Sequence, residues 1–213
     1  MAYLVLVRHG ESAWNAKGLW TGWTDISLDP LGRIEAQKTA RLLTNFKFGA
    51  IFCSPLARCR ETLDEMAGIL KLDTSQTVFA DELKERNYGD FTAKNKWDVQ
   101  KQVGEDEFEK IRRSWDYQIP NGESLKQVYE RAVPFYIGNV EPALKEGKNV
   151  LIVAHGNSIR ALLKFLEDIP DNEITHVEVG IAQAIIFTMS SNGEVMGKEI
   201  RGGTPDVAKD KHN

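Results

Sequence analysis

The chain has 213 residues, 42% of them hydrophobic and 27% charged, which is enough to bury one substantial core but leaves a second full domain cramped. Its 27 basic and 31 acidic side chains give a formal charge of −4, so no global basic field argues for nucleic acid, and a compact anionic ligand requires a local pocket of cations. No apolar run approaches the roughly 20 residues that span a bilayer; residues 3–7 are too short for an export signal and end at Arg8. Cys53 and Cys59, the only cysteines, fit a reducing cytoplasm better than a disulfide scaffold.

Strand and helix signals alternate along the chain, which predicts an α/β three-layer sandwich: a mostly parallel central sheet with helices on both faces. Residues 3–7 read as a buried strand, followed by a Gly- and Trp-rich loop over 18–25. Asp29 as N-cap and Pro30 in the first turn predict a helix to about Leu43. Residues 50–53 form the second strand, and Ser54-Pro55 reads as another cap followed by proline, opening a helix to about Leu70. A short third strand covers 77–80. The polar middle, 81–122, has Trp97 and Trp115 as its main apolar anchors, with one or two short helices over 96–113. Residues 123–146 predict a long helix that Pro134 kinks or splits. Residues 149–154 form the fourth strand, and 158–166 a helix. A hairpin of 184–189 with 195–199 turns at Ser191-Asn192-Gly193. The whole of 1–213 is expected to be a single domain, with 203–213 a mobile tail.

Two strings carry the chemistry. Arg8-His9-Gly10-Glu11-Ser12 follows the first strand, and His155-Gly156-Asn157-Ser158 follows the fourth. In α/β sheets ligands gather beyond the carboxyl ends of the strands, so two parallel strands would deliver both histidines to one site. A neutral, aimed imidazole attacks phosphorus, and phosphoryl transfer asks the protein mainly for alignment and positive groups. Arg8, Arg58 and His155 are candidates for that role, and the arginine fork holds two phosphate oxygens at once. Ser12, Asn15 and the amides of Thr21 and Gly22 offer neutral donors. A lone histidine after a strand is more often a packed residue; the constellation as a whole points to chemistry. For a proton-exchanging carboxylate, residue type alone leaves Asp81, Glu82 and Glu85 open.

Other motifs carry less. Gly156-Asn157-Ser158-Ile159-Arg160 imitates a Gly-x-Ser-x-Gly nucleophile elbow, with Asp168 or Asp171 and then His176 in hydrolase order. Arg160 replaces the second glycine, however, and that reading leaves Arg8, His9 and Arg58 idle. Arg58 and Arg60 stand at the wrong spacings from Cys53 for a Cys-x5-Arg loop. No phosphate loop or dinucleotide fingerprint occurs, and His9, His155, His176 and His212 show no metal-ligand spacing, so no metal is expected.

The chain resembles the cofactor-dependent phosphoglycerate mutases of the histidine phosphatase superfamily. The matching segments are Arg8–Ser12 with Trp14-Asn15, Thr21-Gly22-Trp23 with Asp25, Ser54 with Arg58, Leu83 with Glu85-Arg86 and Tyr88-Gly89, Asn95-Lys96, Arg112-Arg113-Ser114, Asn121–Leu125, and His155–Ser158 with Arg160. They span nearly the whole chain. The resemblance implies interconversion of 2- and 3-phosphoglycerate with 2,3-bisphosphoglycerate as primer and no metal; the alternative within the fold is a phosphatase of small phosphate esters. It implies that His9 is the phosphorylated nucleophile, that His155, Arg8 and Arg58 surround the transferring group with Asn15 and Asn157 as donors, and that Glu85 exchanges a proton with the substrate hydroxyl. Lys96, Arg112 and Arg113 would grip the substrate's far end, near Tyr88. The implied partners are small phosphoglycerates, not nucleic acid or membrane, with a homodimer, homotetramer or monomer in the cytoplasm. The chain departs from the family at Lys84 and Asn87, at Asp90–Lys96 (usually Asp-Leu-Gln-Gly-Leu-Asn-Lys), and at Ile181–Ala184 (usually Thr-Gly-Val-Pro).

Overall fold

The computed structural model describes residues 1–205. Six strands, β1 (Ala2–Arg8), β2 (Ala50–Cys53), β3 (Val78–Phe79), β4 (Val150–Ala154), β5 (Ala184–Met189) and β6 (Val195–Arg201), form one sheet in the order β3-β2-β4-β1-β5-β6. The first four strands run parallel to one another; β5 is antiparallel to both its neighbours. Alternate residues of β1 and β4 face opposite layers. Leu4, Leu6, Val150 and Ile152 pack toward α5 (Leu125–Phe135), α6 (Glu141–Lys145) and α7 (Gly156–Leu166), whereas Val5, Val7, Leu151 and Val153 pack toward α1 (Pro30–Leu42) and α2 (Ala57–Leu70). Strands buried on both faces need apolar residues at every position, which is why these segments read as unbroken apolar runs. The expected three-layer α/β sandwich is what forms. No helix among the described residues is long and apolar enough to cross a membrane.

The register of β1 on β4 places the site. Leu4 lies opposite Val150 and Arg8 opposite Ala154, so His9 and His155 each leave the sheet one residue beyond a paired position. The remaining helices, α3 (Lys96–Val103) and α4 (Glu105–Arg113), pack through Val99, Phe108 and Ile111 onto Trp20 and Ile119.

Several local expectations need correction. Ser54 does not cap α2, which begins at Ala57; Asp25 accepts the Ala57 N–H at 2.5 Å instead, and the Ser54 hydroxyl is turned to His155. The polar middle is anchored by Trp20, from far upstream, and not mainly by Trp97 and Trp115; Trp115 packs in a separate cluster with Leu125 and Val128. The long helix splits after Pro134 and not at it: α5 runs through the proline to Phe135, and a π-helical turn, Tyr136–Val140, precedes α6. α7 starts at Gly156, two residues earlier than expected. Of the tail expected at 203–213, only 203–205 lie within the described residues, and there Thr204 pairs with Ile181 in an antiparallel bridge.

Two of the family departures share one backbone feature. Ala93 and Ala182 stand where the family pattern has glycine, and both are left-handed, at φ 66° and 51°. Each alanine accepts roughly 1–2 kcal/mol of steric cost that a glycine avoids. The contacts that hold Ala182 there are direct: its N–H donates to the His9 carbonyl at 3.1 Å, and its carbonyl accepts from Thr39 Oγ1 at 2.5 Å.

Candidate active site

The loop that carries His9 is built by close backbone approach. A Cβ on Gly10 would stand 2.2 Å from the Gly32 carbonyl oxygen, so the first turn of α1 seats on the loop only because both positions are glycine. His9 N–H continues the ladder to Ala154 O at 3.0 Å, and His9 Nδ1 lies 2.7 Å from Gly10 O. A carbonyl only accepts, so Nδ1 carries the hydrogen, and in the neutral ring the lone pair is on Nε2. The sequence motif thereby acquires a defined tautomer.

Around this ring the pocket wall carries six cations, Arg8, Arg58, Lys96, Arg112, Arg113 and Arg160, against two carboxylates, Glu85 and Glu178. Arg58 is 1% exposed and is aimed by donating to Gly22 O at 2.8 Å and Thr24 O at 3.1 Å. Arg8 Nη1 donates to Val179 O at 2.7 Å. Burial lowers the Arg58 pKa from its ordinary value, yet guanidinium groups remain charged under all physiological conditions. Asn15 lines the pocket, with Oδ1 occupied by the Ser12 hydroxyl at 2.6 Å. Ser12, expected as a direct donor, is not on the pocket wall; it stands behind Asn15 and turns that amide so that Nδ2 is the donor left over.

His155 is fully buried, its ring centroid 5.0 Å from that of His9, and likewise stands just behind the pocket wall. Its Nε2 is 2.7 Å from Ser54 Oγ and 3.3 Å from Cys59 Sγ. Burial first, then Arg58 and His9, hold its pKa well below the usual histidine value, so the ring is neutral. Burial raises the Cys59 thiol to about 12, so that residue is an inert packing neighbour. The depressed His155 pKa has a consequence for stability. In the unfolded chain this histidine binds a proton below about pH 6.5, while in the folded protein it does not, so stability falls as pH drops through that value, by about 1.4 kcal/mol per pH unit until the folded pKa is reached. Urea unfolding at stepped pH should show this slope, and His155→Asn should reduce it by one proton; an unchanged slope would exclude a neutral, buried ring.

Of the three acids left open, the fold brings Glu85 to the pocket wall. Asp81 is 75% exposed in its side chain and paired with Lys84, Glu82 is exposed, and Glu85 is buried at the pocket wall. Its loop is held from outside by Trp23 Nε1 and Arg131 Nη2, which donate to Glu85 O at 2.7 and 2.9 Å. Glu85 Oε1 accepts from Arg86 N (2.8 Å), Asn157 N (3.2 Å) and Asn157 Nδ2 (3.0 Å). Three donors saturate Oε1, which leaves Oε2 as the oxygen able to take a further proton.

The other expected binding residues, Thr21, Gly22, Tyr88, Lys96, Arg112, Arg113 and Asn157, all line the same pocket. Lys96 sits at the start of α3, while Arg112 and Arg113 end α4, so one helical hairpin supplies three cations. Arg113 Nη2 is paired with Glu178 at 2.8 Å. The ligand atoms of His9, Glu85 and His155 lie within 4.8 Å of one another. The surrounding guanidinium groups favour an anion there.

The model of the histidine phosphatase superfamily (branch 1) matches residues 4–198. The chain belongs to the histidine phosphatase superfamily, branch 1. Among its relatives are a 2,3-bisphosphoglycerate-dependent phosphoglycerate mutase of Cytophaga hutchinsonii, 42% identical over 90% of this chain and 89% of that one, and a phosphoglycerate mutase of Schizosaccharomyces pombe, 38% identical over 92% and 94%. Among solved structures, a mycobacterial glucosyl-3-phosphoglycerate phosphatase shares the fold at TM-score 0.81 and 23% identity, covering 96% of this chain and 100% of that one.

Arg160 in this histidine phosphatase superfamily member is a supporting residue with a signal visible in the sequence, a charged side chain among the buried residues of α7. Arg131, Glu178 and the Val179 carbonyl had no such signal, because their roles depend on which loops meet at the strand ends.

Proposed function

We propose that this chain interconverts 2- and 3-phosphoglycerate through a phosphohistidine on His9, with 2,3-bisphosphoglycerate as primer. The observation that carries the reading is the second set of cations. Arg8 and Arg58 suffice for one phosphoryl group, whereas Lys96, Arg112 and Arg113 come from a separate helical hairpin and line the same pocket. A hydrolase gains little from holding its product, but a mutase must retain a doubly anionic species while it turns round. Close relatives named as phosphoglycerate mutases support this assignment.

The primer supplies the phosphoryl group that loads His9, and Arg8, Arg58, Lys96, Arg112 and Arg113 suit its two phosphates and carboxylate. His9 Nε2 carries that group as an N–P bond. When a phosphoglycerate binds, Glu85 Oε2 removes the proton from its free hydroxyl, the hydroxyl oxygen forms a bond to phosphorus, and the N–P bond breaks, returning the electron pair to Nε2. After reorientation, Nε2 attacks the other phosphoryl group; the P–O bond breaks, and Glu85 returns its proton to the departing oxygen. Arg8 and Arg58 meet the charge on the equatorial oxygens in both directions, with the His155 ring packed beside His9.

The test is the ratio of isomer formed to free phosphate released, measured with and without primer and with a chelator. Isomerisation that rises with primer, resists the chelator and outpaces phosphate release is the expected result. Phosphate appearing faster than isomer would establish a phosphatase of small esters instead.

A further inference from the structure

Arg160 and Arg86 are 3% and 0% exposed, and neither has a carboxylate within ion-pair distance among the described residues. A buried guanidinium without a counter-ion is costly unless fixed dipoles replace water around it. Here the dipoles are the last carbonyls of α4. Arg86 Nη2 donates to Ile111 O at 2.6 Å and to Arg112 O at 3.3 Å; Arg160 Nη2 donates to Arg113 O at 3.0 Å and to Ile174 O at 2.7 Å. The negative end of a helix favours such cations, and the two side chains hold down the turn that presents Arg112 and Arg113.

Arg160 also reaches the acid–base group. Its Nη1 donates to Asn157 Oδ1 at 2.9 Å. Because guanidinium offers only donors, Oδ1 must face it, and Asn157 Nδ2 is therefore turned to Glu85 Oε1 and to Tyr88 Oη, both at 3.0 Å. One planar fork thus sets the backbone behind Arg113 and the amide that fixes Glu85. Arg160 Nε remains without a hydrogen-bond partner, a further sign that the side chain is placed for these contacts and not for its own satisfaction.

We propose that Arg160 is a positioning residue that ties the proton-exchanging carboxylate to the distal anion grip, so that Glu85 is aligned for substrates carrying a second anionic group. This rests on the mutase reading above. Lysine at this position keeps the charge but cannot span Asn157 Oδ1 and the two carbonyls at once.

The discriminating substrate is p-nitrophenyl phosphate. Its phenolate departs without a proton donor and it has no second anion, so its transfer to His9 draws only on the proximal pocket. In Arg160→Lys, kcat/KM for isomerisation of phosphoglycerate should fall about 10- to 100-fold, with KM raised and kcat lowered together. Single-turnover labelling of His9 by p-nitrophenyl phosphate should stay within about threefold of wild type. A proportional fall in both reactions would reduce Arg160 to a purely structural role, and an unchanged isomerisation would refute it outright. Arg160→Gln, which keeps one amide donor without the charge, carries the same expectations if the lysine variant does not fold. Wild-type protein that is labelled on His9 yet does not isomerise would instead overturn the mutase assignment.

Discussion

His9→Ala should abolish acid-labile, alkali-stable phosphate on the protein and lower isomerisation by about 10⁴-fold or more. The size of the effect follows from the geometry: with Nδ1 held on Gly10 O, Nε2 is the nitrogen that faces the reaction, and His155, neutral and engaged with Ser54, is not placed to substitute. Binding should survive, because Arg8, Arg58, Lys96, Arg112 and Arg113 are untouched. 2,3-Bisphosphoglycerate should therefore still raise the melting temperature of the variant, as any ligand selective for the folded state does. Labelled phosphate retained by His9→Ala would show that another side chain carries the group.

Glu85→Gln should lower kcat for isomerisation by about 10²- to 10⁴-fold while leaving labelling of His9 by p-nitrophenyl phosphate nearly unchanged. The amide is isosteric, and its orientation is dictated by its neighbours. Three N–H donors converge on the Oε1 position, so the glutamine carbonyl must take that place and its NH₂ the place of Oε2. The loop keeps its hydrogen bonds, but the group facing the pocket neither accepts nor returns the hydroxyl proton. Equal losses with the aryl ester and the phosphoglycerate would mean that Glu85 acts through structure and not through proton exchange.

Much of the site was legible in the chain because chemistry and local geometry coincide there. His9 and His155 follow apolar runs that bury on both faces, and such runs pair in parallel at the centre of an α/β sheet, bringing their carboxyl ends together. Pro30 behind Asp29 marked the start of α1, and the Asp29 carboxylate does accept the Gly32 N–H, at 2.7 Å. Ser54-Pro55 shows the same pairing of cap and proline and misled, because the Ser54 hydroxyl is captured by His155, 101 residues away, and Asp25 reaches across to cap α2. No local signal records a competition between a helix terminus and a distant ring.

Residue type and order alone determined the α/β class, the two strand-end histidines, the arginines beside them and the family to which they belong, since each depends on local periodicity or a contiguous motif. Only the tertiary structure decided which nitrogen of the His9 ring carries the hydrogen, that Ser12 stands behind Asn15, and that Arg160 links the Asn157 amide on Glu85 to the backbone of Arg113. Those are hydrogen-bond choices between segments far apart in the chain. A donor or acceptor selects its partner only after packing has removed water and brought the alternatives within about 3 Å.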